Sequence, residues 1–175
     1  MKYFNKLILV LFILINFVDL RSQVIIGTGT SVQTHPFNYF YGYGRDAAIY
    51  SAAEMNTVSV GGTITTLAWN SSITSTVTAP TKIYLKAVGA TTAVASQTWA
   101  TAITGATEVF SATPANWVMG YNTIDITDFA IPANSNLMVL VECNYTGGGG
   151  GGSTGTQFRY TAGPTGSHAY WQADS

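Results

Sequence analysis

Few side chains in this sequence can do bond-making chemistry, and their spacing does not gather them. His35 and His168 stand near opposite ends of the chain, and neither falls in an H-x-x-x-H or H-E-x-x-H spacing that would turn two imidazoles toward one metal ion. The spacing therefore predicts no metal site shared between them. Nucleophilic catalysis needs a Ser or Cys beside a base, and the sequence has no G-x-S-x-G elbow. Cys143 continues the apolar run Leu137 to Val141 and reads as a small buried hydrophobe. Carboxylate pairs for glycoside hydrolysis could come from Asp125 and Asp128 or from Glu108 and Glu142. Asp125 and Asp128, three apart at a strand end, tend toward opposite faces and read as solvated edge groups. No D-x-D-x-D-G calcium loop is present; a structural calcium held by backbone carbonyls and one or two carboxylates leaves no such signature and stays open. The expectation is a protein that is not an enzyme and carries no cofactor or metal that the sequence names.

Aromatic side chains give the positive signal. Phe37, Tyr39, Phe40, Tyr41 and Tyr43 crowd between Pro36 and Gly44. Rings flanked by Gly and Asn can stack on sugars or anchor a protein interface; equally, they can cover a sheet edge or cap a core. The binding reading names Tyr39, Tyr41 and Tyr43 as ring faces for a glycan, with Asn38 and Arg45 orienting its hydroxyls. Trp69, Trp99, Trp117 and Trp171 are too dispersed to form a platform.

These residues have to be positioned by an exported domain. Lys2 and Lys6 precede the apolar run Leu7 to Ile15 and a polar exit ending at Ser22, the pattern of a secretory signal peptide. The run is shorter than the roughly 20 residues of a spanning helix. The expected organisation is therefore a signal peptide over 1–22 and one domain over 23–175, secreted or held at the cell surface, with no membrane insertion of the mature domain. Charged residues make up 9% of the chain, against about a quarter in a typical domain. Beyond Ser22 four cations face seven carboxylates, a net charge of −3, so no basic patch exists to meet nucleic acid or an anionic membrane. With a single cysteine, disulfides do not hold the fold together.

Periodicity predicts strands almost throughout. Thr63 to Trp69 and Thr81 to Val88 alternate as half-buried strands do, and further strands are expected at Ala47 to Ala53, Thr107 to Ser111, Asn122 to Thr127, Leu137 to Cys143, Thr156 to Thr161 and Ala169 to Gln172. Gly61-Gly62, Asn70-Ser71-Ser72, Ala79-Pro80, Ile131-Pro132 and Gly163-Pro164 punctuate them at intervals that suit an all-β sandwich. One short helical turn is expected within Ser96 to Ala102. The six glycines Gly147 to Gly152 lack the Lys and Ser/Thr of a phosphate loop and read as a hairpin tip or an inter-strand loop.

Ile26-Gly27-Thr28-Gly29-Thr30, Pro36-Phe37-Asn38-Tyr39 through Tyr43, Ala48 to Glu54, Lys82-Ile83-Tyr84-Leu85, Asn136 to Glu142 and Phe158-Arg159-Tyr160 together resemble a recurrent β-sandwich module. Similar modules occur in secreted multidomain surface proteins of Bacteroidetes, beside fibronectin type III domains, peptidases and a type IX sorting signal. The resemblance implies a jelly-roll sandwich of about eight to ten antiparallel strands and an adhesion-like or accessory role; the chain is expected to be a piece of a longer surface protein, with a small protein secreted by the general route as the alternative. Two readings follow: an extracellular binding module whose partner is a glycan or a surface protein, and a structural spacer or subunit-packing domain that buries the same aromatics. A hydrolase with no legible signature is a distant third.

Overall fold

The computed structural model describes residues 23–89, 92–145 and 155–174; the expected signal peptide and the glycine run lie outside them. Among these described residues, nine strands and one helix follow in chain order. They are β1 (Ser31–Gln33), β2 (Tyr43–Tyr50), β3 (Gly62–Ser71), β4 (Thr81–Val88), α1 (Trp99–Ile103), β5 (Thr107–Ala112), β6 (Gly120–Ile131), β7 (Asn136–Asn144), β8 (Phe158–Tyr160) and β9 (His168–Ala173).

Antiparallel ladders join β1 to β8, β2 to β7, β3 to β6 and β4 to β5. This is the pairing of one long hairpin folded back between β4 and β5. Rolled up, the hairpin distributes its strands into two sheets, β1-β8-β3-β6 and β5-β4-β7-β2, with β9 added beside β2. The protein is an all-β jelly-roll sandwich, as the strand spacing and the resemblance led one to expect.

The core between the sheets follows from the alternation of each strand. Ile83 and Leu85 of β4, Ile124 and Ile126 of β6, and Leu137, Val139, Val141 and Cys143 of β7 turn inward. Full burial of each large apolar side chain contributes about 1.5–3 kcal/mol. At one end Phe37 packs edge-on to Trp69 at 4.8 Å and lies 4.6 Å from Trp117, while Trp117 meets Phe158 at 4.9 Å. Offset and edge-to-face rings are the favoured arrangement of aromatic quadrupoles. Trp69 and Trp117, far apart in sequence, thus share one knot.

A third layer covers the outside of the five-stranded sheet. Ala47, Met138 and Leu140 face outward and are buried by Val94 and by Ala102 of α1. Strand β7 is covered on both faces, which is why it reads as an unbroken apolar run instead of an alternation. Helix α1 is capped by Thr98, whose Oγ1 accepts from the Thr101 amide, and Lys86 of β4 donates to the Thr104 carbonyl at 2.7 Å. The outer face of the four-stranded sheet carries no such cover among the described residues.

Two expectations are corrected. The strand expected over Ala47 to Ala53 stops at Tyr50, because the Glu54 carboxylate accepts from both the amide and the hydroxyl of Ser51 and folds the chain into a turn closed by Met55 N–H to Ser51 O. Asn70 and Ser71 do not turn; β3 continues through them, paired to Tyr121 and Gly120.

Candidate functional site

Strand register assembles a cluster that sequence spacing hides. Asp46 of β2 pairs across the ladder with Tyr170 of β9, and Ala48 pairs with His168, so Asp46 and His168 are diagonal neighbours on one face. His35 arrives from the segment just after β1, in the other sheet. The Asp46 carboxylate accepts from His35 Nδ1 at 2.7 Å and from His168 Nε2 at 3.0 and 3.1 Å. Side-chain exposure is 4% for Asp46, 13% for His35 and 35% for His168, so the cluster closes around the carboxylate and opens on the His168 side. Tyr170 lies against His35 at 4.4 Å and fixes the imidazole plane.

A buried carboxylate needs a partner. No Lys or Arg pairs with Asp46 among the described residues, and the two imidazoles take that place. Its hydrogen bond raises the His168 pKa above the ordinary histidine value, against the opposing effect of burial. Chemically, the three groups can act as a hydrogen-bonded lock or as ligands to a cation. No Ser, Thr or Cys hydroxyl or thiol bonds either imidazole among the described residues. Cys143 sits in the core, where burial pushes its thiol up to about 12, so it is protonated and unreactive at neutral pH.

The aromatic run does not form the platform expected of it. Tyr39 is 1% exposed and belongs to the core between the sheets. Asn38 is 7% exposed, and its Oδ1 accepts from the Phe40 amide. Tyr41 is half-buried and packs edge-on to exposed Phe40 at 5.1 Å. Tyr43 and Arg45 lie on β2, on the face that turns toward the third layer. Arg45 Nε donates to Glu142 at 2.8 Å, with its guanidinium 5.6 Å above the Trp99 ring. Of the aromatics in the run only Tyr43 is in a strand; the preceding bend sends Tyr39 to the core and Tyr41 to the rim. Tyr39 and Asn38 are thereby withdrawn from any surface that a ligand could stack on.

What the bare sheet does present is a different set. With Ile124 and Ile126 inward, Tyr121, Thr123 and Asp125 of β6 face outward opposite Asn70, Ala68 and Thr66 of β3. Beside them a shallow cleft of about 260 Å³ is lined by Pro114, Asn116, Trp117, Tyr121, Asn122 and Thr123, among others. Asn122 stiffens it, accepting from the Val118 amide and donating to the Val118 and Gly120 carbonyls, each at 2.8 Å. Ser75 and Trp117 close its base through reciprocal backbone bonds of 2.9 Å.

No family model, curated protein or solved structure matches the chain. No helix among the described residues is long and apolar enough to cross a membrane.

Proposed function

We propose that the chain is a non-catalytic, exported binding module that takes a glycan on the uncovered face of its four-stranded sheet. The observation that carries this reading is Tyr121. It is 50% exposed, at the lip of the cleft, among the amides of Asn70 and Asn116 and the hydroxyl of Thr123. A ring that stacks on a sugar, flanked by groups that bond its hydroxyls, is the chemistry first sought in the Tyr39 to Tyr43 run, moved to a surface that is open. The N-terminal apolar segment supports export, and the low mature charge supports a neutral ligand over a polyanion.

The burial of Tyr39 against the core favours a second reading, a structural spacer of a surface assembly. A glycan array probed with the parent protein and with Tyr121→Ala separates the two. Binding by the parent, lost in a folded Tyr121→Ala variant, is expected. A parent that binds nothing leaves the spacer reading in front, and equal binding by both proteins would remove Tyr121 from the site.

A further inference from the structure

We infer that His35, Asp46 and His168 form a binding site for a divalent transition-metal ion of the zinc class. Two imidazoles and one carboxylate are the donor set such ions prefer, and harder calcium, which favours oxygen ligands, does not suit it. One ligand atom from each residue can be chosen so that all lie within 4.8 Å of one another. Atoms bound tetrahedrally to one zinc at 2.0–2.2 Å stand about 3.4 Å apart. The present separations of 2.7 and 3.0 Å to the carboxylate must therefore open by about 0.4–0.7 Å, while the widest span among the three ligand atoms, which reaches up to 4.8 Å, must close by up to about 1.4 Å, a movement that falls chiefly on the His168 ring. His168 can make it, because β9 is an edge strand and a third of the imidazole is exposed.

The scaffold argues in the same direction. The three ligands come from three separate segments, two on adjacent strands and one from the connection out of the opposite sheet, and Tyr170 holds one ring in plane. The pocket holds one carboxylate, and no resident Lys or Arg among the described residues competes with a dication. The ion would tie the β1 side of the sandwich to β2 and β9, leaving a fourth position for water on the exposed His168 side. This site lies on strands other than those presenting Tyr121, so it stands whether or not a glycan binds there.

The test is calorimetric titration of zinc into the purified protein after chelator treatment, with cobalt absorption as a report on ligand geometry. Saturable 1:1 binding is expected. Replacing one ligand should weaken it at least as much as the 10- to 100-fold typical of losing a supporting partner. His168→Ala is the first variant, since its edge-strand side chain can be removed with the fold intact, checked by circular dichroism. Asp46→Asn is the second and keeps the buried volume. A parent without saturable zinc binding would overturn the proposal and make the cluster a metal-free lock. Unchanged affinity in a folded His168→Ala protein would overturn it equally, by placing the ion elsewhere.

Discussion

Tyr39 decides between a ring that serves the surface and one that serves the core, and two substitutions at this position separate ring from hydroxyl. The ring is 1% exposed, packed with Leu85 and Val139 in the inner core and 6.3 Å from the Tyr145 ring. Removing a buried aromatic costs about 3–5 kcal/mol, the transfer free energy of the ring plus the cavity it leaves. Total stability of a domain is about 5–15 kcal/mol, so Tyr39→Ala should consume a large share of it. For a chain of 175 residues, each kcal/mol moves the midpoint by about 2–4 °C, which gives a fall of about 6–20 °C. The hydroxyl contributes differently. It lies near Thr81, Trp117 and the Ala79 backbone, close enough for them to temper a pKa that burial drives far up, yet with no geometry that completes a hydrogen bond to a described residue. Tyr39→Phe keeps the ring and drops only that group, so it should change stability by less than about 1 kcal/mol. Urea unfolding followed by tryptophan fluorescence measures both. A Tyr39→Ala protein as stable as the parent would place the ring outside the core. A Tyr39→Phe protein weakened by more than about 1 kcal/mol would show that the hydroxyl is bonded after all.

Three further outcomes are expected. Thr156 Oγ1 donates to the Phe37 carbonyl at 2.6 Å in a fully buried setting, so the isosteric Thr156→Val should leave that carbonyl unpaired and cost about 1–3 kcal/mol by urea denaturation. A Cβ at Gly44 would stand 2.8 Å from the Asn38 carbonyl oxygen, a backbone atom that cannot swing aside. Gly44→Ala should therefore lower the thermal midpoint, at a cost of about 1–3 kcal/mol, and a neutral result would mean that the 38–44 bend is free to move. Cys143 holds its proton up to about pH 12 when folded, chiefly through burial, but only to about 9 when unfolded. Its stabilising contribution is thus complete below pH 9 and is lost as pH rises toward 12, at up to about 1.4 kcal/mol per pH unit. Cys143→Ala should flatten that alkaline decline in a pH series of urea midpoints, and an unchanged slope would assign the decline to other groups.

The parts of this structure that were legible in the sequence are those determined by neighbours along the chain. Thr81 to Val88 alternates because β4 has one face on the inner core, and its bounds match the expected strand. The Asn136–Asn144 strand was equally visible, although its continuous run could not say that a helix and the Val94 segment cover its second face. Strand β1 escaped notice because Ser31–Gln33 is three residues long and is defined by its ladder to β8, at the far end of the chain. The His35–Asp46–His168 cluster was illegible for the same reason. Metal motifs are recognised when one helix or loop fixes two ligands at a set interval; here the interval is supplied by the β2–β9 register and by the crossing from β1, neither of which leaves a trace in local spacing. One signal was nevertheless present. Asp46 lies within a strand between Gly44 and the Ala47-Ala48 pair, at an inward position flanked by small residues, and a carboxylate there must find a partner or go unpaired. With four positive side chains beyond Ser22, and with Arg45 on the opposite face of the same strand, Lys82 and Lys86 on the outer side of β4 and Arg159 exposed on β8 of the other sheet, the histidines were the partners left within reach of that face. Charge scarcity, read in composition as a clue to the surface, thus also constrains what a buried carboxylate can pair with.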